Sequence, residues 1–106
     1  MNGKRFLHRR SRAAIRQAVQ RVCRMERCFD ELQRALQADP RALHGNSGIK
    51  TDLRALTRYY EGGQWLRDYA LDEKGFFPRG LKRGVLAQDA LYDFFEQVKN
   101  GEEPQL

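Results

Sequence analysis

The hydrophobic positions Ile15, Ala18, Val19, Val22, Met25, Phe29, Leu32 and Leu36 recur three and four apart. That spacing is the helical period, and it predicts one amphipathic helix over roughly residues 11–37. Ser11 stands where an N-cap would, although the pattern upstream allows an earlier start. Asp39-Pro40 reads as a cap and a first-turn proline, and residues 44–48 read as a loop. A second helix is expected over about 49–61, with Ile49, Leu53, Leu56 and Tyr60 inward. Gly62-Gly63 breaks it. A third helix is expected over about 64–74, with Trp65, Leu66 and Tyr69 inward and Gly75 as its terminator. Residues 76–84 hold Pro78, Gly80 and Gly84 and read as an irregular connection. A last helix is expected over about 88–100, packed through Ala90, Leu91, Phe94, Phe95 and Val98 and stopped by Gly101. No alternating strand pattern and no internal repeat occurs. The fold class predicted is therefore all-α, a compact bundle of about four helices with a long amphipathic N-terminal helix.

Charge divides the chain unevenly. Residues 1–27 carry nine basic side chains against Glu26 alone, a net +8, while residues 28–106 carry −2. Arg5, Arg9, Arg12 and Arg16 follow spacings of four, three and four, one stripe on a helix, and Arg27 and Arg34 return to it. A basic stripe on one end of a slightly acidic body points to an anionic partner. Arginine suits phosphate and carboxylate alike, so its choice over lysine does not separate a nucleic acid from an acidic protein. At 106 residues the chain is long enough for one domain and short for two. The expected organisation is a single helical domain over 1–106, with residues 1–10 a basic extension and 101–106 a frayed tail. No run of about 18 apolar residues is present, so no membrane span is expected. The opening residues lack the apolar stretch of a secretory signal.

The stretch Tyr59-Tyr60-Glu61-Gly62-Gly63-Gln64-Trp65-Leu66-Arg67-Asp68-Tyr69 is followed by Asp72-Glu73, Gly75 and Pro78. Leu81-Lys82-Arg83-Gly84-Val85-Leu86, Asp89 and Tyr92 complete the pattern. It resembles a small bacterial family known only as a domain of unknown function, with a YY…W..DY..DE.G..P..LKRGVL..D..Y signature after a long first helix. The likeness covers residues 59–92, about a third of the chain, and more loosely Arg24-Met25-Glu26 and Phe29. Ala87 departs from the serine expected there, which weakens an N-cap for the last helix. The resemblance implies a compact helical fold and a bacterial cytoplasmic setting. It implies no activity.

The chemistry-bearing residues are few. Asp68 and Asp72 lie one helical turn apart with Glu73 adjacent, a pattern that a divalent ion or acid–base chemistry could use. Without a histidine or a second acidic motif, pairing with Arg67, Lys82 or Arg83 is the favoured reading. The signature residues Trp65, Asp68, Tyr69, Asp72, Glu73, Lys82, Arg83 and Asp89 are accordingly expected to be structural. Residues 75–82 miss a phosphate loop, because the lysine comes late and no Ser or Thr follows. Cys23 and Cys28 point about 140° apart on a helix and cannot form a disulfide within it. His8 and His44 are isolated, so no zinc site is expected. No catalytic residue, metal or cofactor is nominated, and the chain is not expected to be an enzyme.

The function expected is a non-catalytic protein–protein interaction or regulatory module of the bacterial cytoplasm. Its partner-binding residues are Arg5, Arg9, Arg12, Arg16 and Arg27, and its partner is another protein with an acidic surface. The alternative is an accessory protein that binds DNA or RNA through the same arginines. The oligomeric state is left open.

Overall fold

The computed structural model describes residues 2–39, 41 and 47–102, with side chains at 12–39, 41 and 47–100. Four helices carry the fold: α1 (Asn2–Ala38), α2 (Ser47–Glu61), α3 (Gln64–Glu73) and α4 (Ala90–Glu102). A 3₁₀ turn, Gly84–Leu86, interrupts the connection between α3 and α4. No strand occurs among the described residues.

α1 places Ala18, Val22, Met25, Phe29 and Leu32 in the core at alternating intervals of four and three. Leu56 and Tyr59 of α2 face them. Phe77, Val85 and Leu86 close the core from the connection, and Leu91, Phe94 and Val98 close it from α4. The ring of Phe29 meets that of Phe94 edge-on, with centroids 5.5 Å apart. α1 and α2 run antiparallel. Leu32 and Ala35 lie across from Ile49, Cys28 reaches Asp52, and the middle of α1 meets α3 through Arg21 and Asp68. No helix among the described residues is long and apolar enough to cross a membrane.

Several boundaries differ from the sequence expectation. α1 begins at Asn2 and not at Ser11, so residues 2–10 belong to the helix. Lys4, Arg5, Leu7, Arg9 and Arg10 are good helix formers, and they continue the helix where the apolar stripe no longer marks it. At 1.5 Å per residue its 37 residues span about 55 Å. Ser47 and Gly48 open α2 instead of closing a loop, while Pro40 and the rest of the expected loop, His44 to Asn46, lie outside the described residues. α4 starts at Ala90, two residues later than expected, so Asp89 and not Ala87 takes its N-cap position. The Asp89 carbonyl accepts the first helical bond, from the Asp93 N–H at 2.9 Å. α4 also runs through Gly101, which therefore does not stop it. The last four residues of the expected tail lie outside the described ones.

α3 ends as its glycine requires. Gly75 has φ 79°, a left-handed conformation that residues with a Cβ rarely adopt. Its N–H bonds to Asp72 O at 2.9 Å and the next N–H, of Phe76, bonds to Leu71 O at 3.1 Å. These two bonds make a Schellman termination. The inward face of α3 differs from expectation. Leu66 is 63% exposed, and the one fully buried residue of the helix is Asp68. Leu66 follows Trp65 by about 100° around the helix, and Trp65 already points at the core.

Candidate functional site

Asp68 has no exposure to solvent, and its carboxylate is completed from two directions. Arg21 of α1 donates from Nε to Oδ2 at 2.9 Å and from a terminal nitrogen to Oδ1 at 2.6 Å. The Tyr59 hydroxyl donates to Oδ2 at 2.8 Å. Removing a carboxylate from water costs several kcal/mol unless charge and hydrogen bonds replace the solvent. The two-pronged guanidinium and the phenol do so here. The bond to Asp68 raises the Arg21 pKa against an opposing effect of burial. Burial first, and then the bond to Asp68, push the Tyr59 phenol far up, so it stays protonated.

A second buried acid, Glu26, holds the connection. Its carboxylate accepts the Gly84 N–H at 3.2 Å and the Val85 N–H at 2.7 Å, at the head of the 3₁₀ turn. A Cβ at residue 84 would lie 2.9 Å from Glu26 Oε1, so the carboxylate would have to shift to admit one. Trp65 Nε1–H donates to the Val85 carbonyl at 2.9 Å, fixing the turn from the other side. Lys82 Nζ bonds Asp30 Oδ2 at 2.6 Å, an exposed pair that raises the lysine pKa. Arg83 bonds Asp72 and also the carbonyls of Pro78 and Leu81. Together these bonds clasp residues 78–85 onto α1 and α3.

The structure sorts the expected pairs differently from the sequence. Arg83 meets Asp72, but Asp68 meets Arg21 and Lys82 meets Asp30. Asp68 faces α1 from the inner side of α3, so neither base of the connection is its partner. Glu73 stays exposed beside Tyr69, where its carboxylate raises the phenol pKa through a hydrogen bond. Trp65 is half-buried between Tyr60, met edge-on at 5.4 Å, and Tyr69, stacked at 5.1 Å. Asp89 is exposed. Asp68 and Asp72 are thus spent on different arginines and do not open together on one metal-sized site. Among the described residues no three His, Cys, Asp or Glu side chains cluster in a way that could hold a metal ion.

Sequence reasoning missed Arg21, Glu26, Asp30 and Tyr59. Two of them carried a visible signal. Glu26 lies four residues after Val22 and three before Phe29, on the edge of the apolar stripe, and Arg21 lies three after Ala18 on the other edge. Charges at such positions are desolvated as the helix packs and need partners.

The arginine stripe faces outward where it is described. Arg12, Arg16 and Arg27 are exposed and form no ion pair among the described residues. Arg34 pairs with Glu31 at 3.1 Å, both exposed. Arg5 and Arg9 lie on α1, but their side chains fall outside the described ones. A surface groove of about 290 Å³ runs beside the stripe, lined by Arg27, Arg34 and Lys82 together with Glu26, Asp30 and Glu31. Among the described side chains, Arg12 and Arg16 stand apart from that groove and form no ion pair. Cys23 is exposed, and Cys28 lies against Asp52, with burial raising its thiol pKa.

Residues 22–102 match a family described as Domain of unknown function (DUF4298). No curated protein and no solved structure gives a significant match to the chain.

Proposed function

The chain belongs to the DUF4298 family, a domain of unknown function, and from that premise we propose that it is a non-catalytic interaction module that docks an anionic macromolecule on the outer face of α1. One contrast carries the reading. The buried and half-buried acids of the body, Asp68, Glu26, Asp72 and Asp30, are each consumed in bonds that hold elements together. Arg12, Arg16 and Arg27 are exposed with no ion pair among the described residues. Groups that serve the fold are paired inward, and groups left unpaired at the surface are available to a partner. A regulatory or adaptor role in the bacterial cytoplasm is part of this reading.

Chromatography on immobilised heparin, a generic polyanion, tests it. The parent should be retained at low salt, and the variant carrying R12Q, R16Q and R27Q should elute much earlier. Elution of the parent in the flow-through at low ionic strength would refute the reading.

A further inference from the structure

We propose that the part of α1 preceding the family domain is an arm that binds double-stranded DNA along its phosphates. This rests on the arginine face described above and names its partner. The family match begins at residue 22, whereas α1 runs unbroken from Asn2. The first 25 residues hold eight Lys and Arg residues and no Asp or Glu. Of those eight, Arg21 turns to Asp68. The apolar stripe fades in the same region: Ala18 is the first buried position among the described residues, and Arg12, Ala13 and Ala14 are exposed. The upstream turns of the helix therefore carry charge with no acid among their own residues. The first turn contains no acidic residue, so Lys4 and Arg5 stand at the positive end of the helix dipole. An anion there relieves the repulsion.

Charge and shape choose duplex DNA. A protein interface is built around an apolar centre depleted of charge, and in residues 4–16 the charged run His8-Arg9-Arg10-Ser11-Arg12 separates Phe6 and Leu7 from Ala13, Ala14 and Ile15. Residues 4–16 span about 20 Å of helix at 1.5 Å per residue. Along that length a duplex presents a phosphate charge about every 1.7 Å. An α-helix of about 10–12 Å diameter fits the B-form major groove, about 12 Å wide, and the narrow A-form groove of RNA does not admit it. The arginine fork matches phosphate oxygens in pairs. Residues 28–106 carry −2 in sum, so the long-range field of the body does not favour a polyanion as the arm does.

Fluorescence anisotropy of the full chain with a labelled 20-base-pair DNA duplex, at several salt concentrations, tests the proposal. Neutralisation of four phosphates by Arg5, Arg9, Arg12 and Arg16 gives a log–log salt slope of about −3 to −4, so a fourfold rise in salt should weaken binding about 100-fold. R5Q/R9Q/R12Q/R16Q should abolish that dependence, R12Q/R16Q should halve it, and R54Q on the exposed side of α2 should leave it unchanged. An RNA duplex should bind at least tenfold more weakly. Equal affinity for the RNA duplex, or undiminished DNA binding by the quadruple variant, would overturn the proposal. Poly-L-glutamate separates the two levels of the argument. Arginine-dependent binding to it without DNA binding overturns the DNA arm and leaves the anionic-partner reading standing. Binding to neither polyanion overturns both.

Discussion

Arg21 on α1 and Asp68 on α3, 47 residues apart in the chain, meet as a two-pronged ion pair whose carboxylate is wholly enclosed. The guanidinium side is 26% exposed, so the pair is anchored at the acid and vented at the base. Breaking it from the base side is therefore the severe change. R21M leaves an ionised carboxylate buried with only the Tyr59 hydroxyl for company, and should cost about 3–5 kcal/mol. Urea denaturation of parent and variant measures this. A difference under 1 kcal/mol would show that the pair contributes little.

Tyr59 gives the same cluster a pH dependence. Its pKa is raised in the folded state, so the stability it contributes is fully present below the unfolded value of 10.0 and is lost as pH rises above it. Above pH 10 the unfolded chain releases the phenolic proton and the folded one keeps it. Stability should then fall by about 1.4 kcal/mol per pH unit from this group. Y59F should remove that slope while Lys82 and Tyr69, whose pKa values are also raised, continue to titrate in both proteins. Urea midpoints between pH 9 and 11.5 for parent and Y59F should lie furthest apart at pH 9 and converge toward pH 11.5. A constant gap across that range would contradict the expectation.

Glu26 and Gly84 form the other half of the clasp. E26A strands the buried Val85 N–H and the Gly84 N–H and should destabilise by about 1–3 kcal/mol. E26Q keeps an acceptor oxygen and should cost less. G84A should approach E26A in effect, because the new methyl displaces the carboxylate that it would meet at 2.9 Å. Thermal melts should rank the proteins parent, E26Q, E26A. A G84A melt equal to the parent's would show that the carboxylate can move aside at no cost.

Trp65 links the aromatic surface to the same turn. W65F retains much of the packing on Tyr60 and Tyr69 but loses the bond to the Val85 carbonyl, for an expected loss of about 1 kcal/mol or more. W65A removes both and should cost about 3 kcal/mol or more. Guanidinium titrations followed by circular dichroism distinguish them, and identical midpoints for the two variants would show that the ring packing adds nothing.

The core stripe of α1 was legible in the sequence, because its three-and-four spacing is a local property. The breaks at Gly62-Gly63 and Gly75 were legible for the same reason. The start of α1 was not, since residues 2–10 are helical without an apolar stripe to reveal it. Leu66 misled because hydrophobicity does not fix which side of a short helix faces the core. The acids and bases were visible as residues but not as partners. Lys82 and Arg83 are neighbours in sequence yet reach α1 and α3 respectively, at Asp30 and Asp72. Such choices belong to the packing of distant elements, and a single chain of letters does not encode them locally.

The ion pair of Arg21 with Asp68 has a consequence for where the cooperative unit begins. The family match starts at residue 22, one position after the arginine that neutralises the match's most deeply buried acid. A chain shortened to start at Val22 would keep every apolar residue from Val22 onward, yet it would have to fold around an Asp68 carboxylate bonded by the Tyr59 hydroxyl alone. Recurrence in a family and physical self-sufficiency therefore draw different borders on this protein. The smallest piece able to stand alone includes Arg21, upstream of the shared region and in the same helix that runs on to Asn2.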